Sequence, residues 1–229
     1  MGVPLIVILA LLLVAFMVYA SYSISSGVYV KAFCKKRTTD KIVALTFDDG
    51  PHPENTPKVL DILAEWEVEA AFFCIGKNVE AHPEIVERMF SEGHLVGNHS
   101  YSHCNSFPLM GVKKMVEDIR KTDELITNVT GSPVHFFRPP FGITNPLVRD
   151  ALSQFNYNVI GWNVRSFDTM SASVDEVYRR VIKQIKPGSV ILLHDRLSVA
   201  PELLSRLLRY LSDEGYEIRR VDKLFNIFD

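Results

Sequence analysis

At 229 residues the chain has room for one sizeable domain, long enough for a single α/β barrel. A formal net charge of −2 gives no basic surface of the kind that binds nucleic acid, so that partner class is excluded. Hydrophobic residues make up 47%, a share raised by one local run, and three cysteines do not make a disulfide framework, though one bridge between Cys74 and Cys104 is conceivable.

The apolar run comes first: Val3 to Ala20 (VPLIVILALLLVAFMVYA) is 18 residues without a charge, the length at which a segment spans a membrane. A cleaved signal peptide is the alternative, with Val18 and Ala20 forming a small-residue cleavage site. The start lacks Lys and Arg and the run is long for a signal core, so an uncleaved anchor over residues 1–22 is the expectation. A polar linker over 23–40 and one domain over 41–229 follow. Lys31, Lys35, Lys36 and Arg37 lie just beyond the run and favour the cytoplasmic side for the domain.

Short apolar runs then alternate with amphipathic stretches. KIVALTF (41–47) reads as a buried strand. TPKVLDILAEW (56–66) reads as a helix with Thr56 as N-cap and Pro57 in its first turn. AAFFCIG (70–76) and HLVGNH (94–99) are strands flanking a helix over PEIVERMFSEG (83–93), with Gly93 as its C-cap. Residues 112–127 form the next helix. VHFFRPP (134–140), NYNVIGWNV (156–164) and SVILLHD (189–195) continue the strands; PLVRDALSQF, VDEVYRRVIKQI and PELLSRLLRYLSDEG supply the helices. This alternation predicts βαβ units, a parallel sheet and a closed or nearly closed barrel of about seven strands.

Polar residues collect where the strands end: Asp48 and Asp49, His99, Arg138, His194 with Asp195, and more loosely Asp168. In parallel barrels the chemistry gathers at those C-terminal ends. The adjacent carboxylates in TFDDGPH are either a solvated turn or a division of labour between metal and proton. HSYSH decides between them. His99 and His103 at i and i+4 face one way if the segment is helical or tightly turned, and with Asp49 they make a three-ligand set that leaves positions open for water and substrate. Such a donor set suits zinc first, with cobalt, nickel or iron also fitting. Asp48 beside a neutralised Asp49 stays ionised as general base, and His194 approaches from another strand as general acid. Arg138 is expected to hold Asp48 through a bidentate contact, a surface arginine being the alternative. The Phe141 N–H stands near a developing oxyanion.

In this order, TFDDGP, HSYSH, RPPFG and LLHD resemble the motifs of the polysaccharide deacetylases of the NodB-homology type, carbohydrate esterase family 4, over about 41–225. The resemblance implies a distorted (β/α) barrel, a divalent metal, usually zinc, and hydrolysis of N-acetyl groups from N-acetylglucosamine units of a peptidoglycan or chitin-like glycan. By position it makes Asp48 the base, Asp49, His99 and His103 the ligands, His194 the acid, Arg138 the residue that holds the base, and Leu192 a wall of the acetyl pocket. It places the domain outside the cytoplasm, against the flanking charges. Tyr101, Phe107 and Phe141 are expected near the site.

One motif departs from the pattern. The family carries an aspartate that raises the pKa of the catalytic histidine; here that place is held by Arg165, and Thr169 replaces a tryptophan. A nearby cation would favour neutral imidazole at His194, unless Asp168 turns inward. Two other functions stay open at this point: deacetylation or deformylation of a lipid-linked sugar at the membrane, and a non-catalytic carbohydrate-binding relative.

Overall fold

The computed structural model describes residues 2–171 and 173–228. Its centre is one parallel sheet of eight strands: β1 (Ile42–Asp48), β2 (Ala71–Cys74), β3 (Leu95–Asn98), β4 (Phe136–Phe137), β5 (Asn158–Val159), β6 (Val164–Arg165), β7 (Ser189–His194) and β8 (Glu217–Ile218). The order is β5-β4-β3-β2-β1-β7-β6, with β8 paired to the start of β1. The sheet curls into a half-barrel, the distorted α/β barrel that the sequence predicts.

β1 is buried at every position, as expected of a parallel strand covered on both faces. Its period of two sorts the residues. Val43, Leu45 and Phe47 join the helix layer with Leu60 and Leu63 of α2 (Asn55–Glu65) and Leu204, Leu207 and Leu211 of α8 (Ala200–Asp213). Ile42 and Ala44 pack inside the barrel with Phe73, Ile160 and Val190. Thr46 and Asp48 continue that inward series, so the strand itself delivers Asp48 to the mouth. The sheet's outer layer is completed by α4 (Pro83–Ser91), α5 (Val112–Thr130) and α7 (Val174–Ile182).

Several local readings change. NYNVIGWNV is two strands, β5 and β6, at opposite ends of the sheet order, because Gly161 and Trp162 carry the chain across the barrel's open seam. That seam is filled from the region read as linker: Phe33 bridges Ile160 in parallel and Lys35 bridges Ser189 in antiparallel fashion. Thr56 lies within α2, whose N-cap is Glu54. The Thr56 hydroxyl instead accepts the His52 N–H at 2.8 Å and donates to the buried Asp195 carboxylate. A short helix, α3 (Gly76–Ala81), follows β2 and escaped the sequence reading because it is under two turns long. Cys34, Cys74 and Cys104 are all free, so the conceivable bridge is not formed. The N-terminal helix α1 (Gly2–Tyr22) is long and apolar enough to cross a membrane, and its side chains from Leu5 to Tyr19 are exposed.

Candidate active site

A cavity of about 520 Å³ opens at the C-terminal ends of the strands, with Asp48, Asp49, His99, His103, Leu192 and His194 among its walls. Two neighbours on a strand point to opposite faces, so Asp48 and Asp49 could not share this cavity on regular β backbone. Asp49 has φ of +73°, which ends the strand and turns its carboxylate back to the same side. The HSYSH segment is likewise not a helix. Ser100 (φ +67°) and His103 (φ +42°) fold it into a tight turn. The Asn98 side chain accepts the Ser100 N–H at 2.7 Å, and the Asp118 carboxylate accepts the Tyr101 N–H at 2.7 Å.

The result is a convergence of donors. His103 Nε2 lies 3.4 Å and His99 Nε2 3.7 Å from Asp49 Oδ1, and one ligand atom from each of the three residues lies within 4.8 Å of the others. His99 Nδ1 sits 2.6 Å from the Arg138 carbonyl oxygen, which fixes the proton on that nitrogen and leaves the Nε2 lone pair aimed into the cavity. Burial, with His99 alongside, pushes His103 down to about 4, so its imidazole is neutral and free to coordinate. Burial raises Asp49, but His99, His103, His194 and Arg196 outweigh it and hold the carboxyl below its usual range. Arg196 Nε donates to Asp49 Oδ2 at 2.9 Å, leaving Oδ1 as the inward ligand. Two imidazoles and a single carboxylate oxygen are a donor set that fits zinc.

Asp48 is held differently. Arg138, fully buried, donates to Asp48 Oδ1 from Nη1 at 2.6 Å, and the same nitrogen reaches Thr46 Oγ1 at 3.0 Å. The expected bidentate contact is absent, because Nε and Nη2 are committed to the carbonyls of Ile160 and Gly161, each at 3.0 Å. The guanidinium also lies 4.2 Å from the Phe73 ring centroid. Arginine and aspartate are thus locked together across the barrel, with Asp48 Oδ2 facing the cavity 3.7 Å from His99 Nε2.

His194, the register neighbour of Asp48 on β7, lines the same cavity. Its Nδ1 is 2.7 Å from Asp168 Oδ1, and its backbone N–H donates to Asp168 Oδ2 at 2.9 Å. Phe167 at φ +53° and the turn Asp168–Met170 swing Asp168 inward, where it is buried. Burial lowers the His194 pKa, but the hydrogen bond and charge of Asp168, with Asp48 and Asp49 behind it, raise it overall. Arg165 lines the same cavity, but the hydrogen bonds of this histidine go to Asp168. Arg165 pairs in register with Leu192 on β7, and its guanidinium lies on the Phe167 ring at 4.6 Å and near Trp162 at 5.7 Å.

Two expected residues fall elsewhere. Tyr101 points away, its hydroxyl donating to Glu80 at 2.6 Å with Lys121 over the ring. Phe107 is buried in the cluster beneath α5 and α6 (Pro146–Leu152). Phe141 does reach the rim, its ring 4.6 Å from that of His103. Trp162, Arg196, Lys77 and Asn78 line the cavity without having been singled out. Arg196 alone carried a signal, its place directly after the LLHD motif.

Residues 35–160 match the family model described as polysaccharide deacetylase. Peptidoglycan-N-acetylmuramic acid deacetylase PdaC of Bacillus subtilis is 35% identical over 196 residues, which is 83% of this chain and 40% of that protein. Its solved structure superposes with a TM-score of 0.77, covering 82% of this chain and 91% of that chain at 34% identity. A peptidoglycan-N-acetylglucosamine deacetylase of Bacillus cereus is 37% identical over 193 residues, 80% of this chain and 68% of that protein. The structure of a family 4 pseudoenzyme from Bacillus anthracis is similar too, with a TM-score of 0.77 and 28% identity over 83% of this chain and 67% of that one. The chain therefore spans less than half of PdaC and about two thirds of the Bacillus cereus enzyme. With the matching barrel, the matching motifs and this spread of relatives, the chain belongs to the polysaccharide deacetylase family.

Proposed function

We propose that the chain is a metal-dependent carbohydrate N-deacetylase that hydrolyses the acetamide of N-acetylated sugars in a peptidoglycan-like glycan and releases acetate. One observation carries the reading. A carboxylate held by a buried arginine and a histidine held by a buried aspartate, register neighbours on β1 and β7, share one cavity with a three-ligand set. A sugar-binding module has no need of that arrangement.

Asp49, His99 and His103 would hold the divalent ion, zinc first, which when bound supplies a Lewis acid for the acetamide oxygen and lowers the pKa of the attacking water. Asp48 accepts the proton of that water through Oδ2, while Arg138 keeps Oδ1 occupied and the carboxylate fixed. Leu192 and Trp162 wall the acetyl methyl, and the Phe141 N–H faces the oxygen as charge develops. His194, its pKa raised by the hydrogen bond and charge of Asp168, delivers a proton from Nε2 to the departing amine. The carbon–nitrogen bond breaks as that proton arrives, leaving acetate and a free amino sugar. With Asp168 in the place of the missing acidic partner, the non-catalytic reading loses the one feature that favoured it.

We also assign α1 the role of a retained membrane anchor, with the catalytic domain outside the cytoplasm beside its glycan. The testing experiment is acetate release from N-acetylglucosamine oligosaccharides and from peptidoglycan by the full chain in detergent, with and without chelator and added zinc. Acetate release that chelator abolishes and zinc restores is the expected result. A zinc-loaded protein that binds these glycans and releases no acetate would overturn the reading.

A further inference from the structure

The end of α1 is built into the framework of the cavity. Ala20 is fully buried, and its carbonyl accepts the Ser26 hydroxyl at 3.1 Å. The Thr144 N–H donates to the Ser21 carbonyl at 3.0 Å, and Thr144 stands three residues beyond Phe141 at the rim. Ile24 is buried against Gly161, where a Cβ would meet the Ile24 side chain at 3.1 Å. The Gly161 carbonyl is in turn a partner of Arg138, and Trp162 follows it in the cavity wall. The apolar helix is thus clamped at its last turn to both segments that carry the rim, and its side chains from Leu5 to Tyr19 leave the barrel without packing on it. Three residues reach at most about 11 Å, so Phe141 lies within roughly that distance of the clamp.

The surface beside the clamp is apolar. Asn145 Nδ2 donates to the Pro108 carbonyl at 2.6 Å, which draws the turn Phe107–Leu109 up to the start of α6. Leu109 on that turn is 78% exposed, Leu147 on α6 is exposed as well, and Tyr19 and Tyr22 project from the last turns of α1. Tyrosines at the end of an apolar helix and isolated leucines beside it are side chains that settle at a lipid headgroup layer.

We propose that this edge of the barrel rests on the lipid bilayer, so that the mouth of the cavity is held at the membrane surface and the enzyme acts on glycan tethered there. The proposal rests on the deacetylase and anchor assignments above. A lipid-linked sugar or a strand still attached to the membrane is then the substrate class. Polymer lying several nanometres away is out of reach of a mouth fixed by a rigid clamp.

The two tryptophans test the orientation without activity. Trp162 lines the cavity, whereas Trp66 caps the C-terminus of α2 at the opposite end of the sheet. The full chain is placed in phosphatidylcholine vesicles containing a headgroup-nitroxide lipid, as Trp66→Phe to report Trp162 and as Trp162→Phe to report Trp66. Quenching at least twofold stronger for Trp162 is expected. Equal quenching, or stronger quenching of Trp66, overturns the proposal; absence of quenching together with a dimer in detergent would give the apolar edge to a second copy and overturn it too.

The substrate arm compares an N-acetylglucosaminyl lipid in the same vesicles, the same lipid in separate vesicles, and soluble oligosaccharide. A preference of tenfold or more for the same vesicles is expected. A long Gly-Ser insertion between Tyr19 and Ala20 should remove that preference and the Trp162 quenching while leaving turnover of soluble oligosaccharide intact. An unchanged preference in that variant would overturn the proposal. If no substrate yields acetate, the deacetylase assignment falls, while the quenching still decides the orientation.

Discussion

Asp48 accepts one short bond from a fully buried guanidinium, whereas Asp49 faces two imidazoles and an exposed arginine, and these surroundings separate the work of two identical groups. Asp48→Asn should retain one zinc per chain by elemental analysis and lose turnover by roughly 10²–10⁴-fold, the worth of a general base. It should also melt earlier, since Arg138 would be left buried without its counter-charge, a change that costs about 3–5 kcal/mol. His103→Ala should instead lose the zinc; full retention in that assay would remove His103 from the ligand set. His194 must be protonated to serve as acid, and Asp168 raises its pKa. The protonated fraction therefore persists to higher pH, and this interaction sets the alkaline limb of the pH–rate profile. Asp168→Asn should move that limb to lower pH. Arg165→Gln should leave it in place, because the Arg165 guanidinium lies on the Phe167 and Trp162 rings and forms no ion pair with His194 or Asp168.

At the level of elements, the site depends on turns that break the strand period. The turn Pro140–Gly142 carries Phe141 at φ +61° and Gly142 at φ +68°, and a Cβ on Gly142 would lie 2.4 Å from the Trp162 ring. Gly142→Ala therefore strains the backbone by about 1–2 kcal/mol and drives Trp162 into the cavity. Zinc content should be unchanged while KM for the glycan rises and kcat falls. Wild-type kinetics would show that the turn can relax without moving the ring. The strand ends were legible in the sequence because buried parallel strands are continuous apolar runs that stop at polar residues. The turns were not, since positive φ at Asp49, Ser100 and His103 falls on residues with no glycine to announce it.

For the whole molecule, the open seam between β5 and β6 makes residues 33–36 part of the barrel. The Phe33 N–H donates to Val159, Gly161 donates back to Phe33, and the Lys36 N–H donates to Gly188. At about 1 kcal/mol for each of these bonds, a fragment starting at residue 38 should be less stable than one starting at 23 by about 3 kcal/mol. For a chain of this size that lowers Tm by roughly 6–12 °C, readable by calorimetry. Equal melting temperatures would mean that the seam segment adds nothing to the barrel.

The sequence by itself determined the class of fold, the strand that carries Asp48, the ligand types and the order of the motifs, because hydrophobic period and residue chemistry are local properties. Its resemblance to the family's motifs also implied that an acidic partner for His194 was missing from its usual place. Only the tertiary structure decided that Asp168 turns inward onto His194, that NYNVIGWNV divides between the two ends of the sheet, that Tyr101 faces away, and that the region read as a linker closes the seam. Each of those outcomes turns on which segments meet across the barrel. Such contacts join residues tens to more than a hundred positions apart, and no local pattern records them.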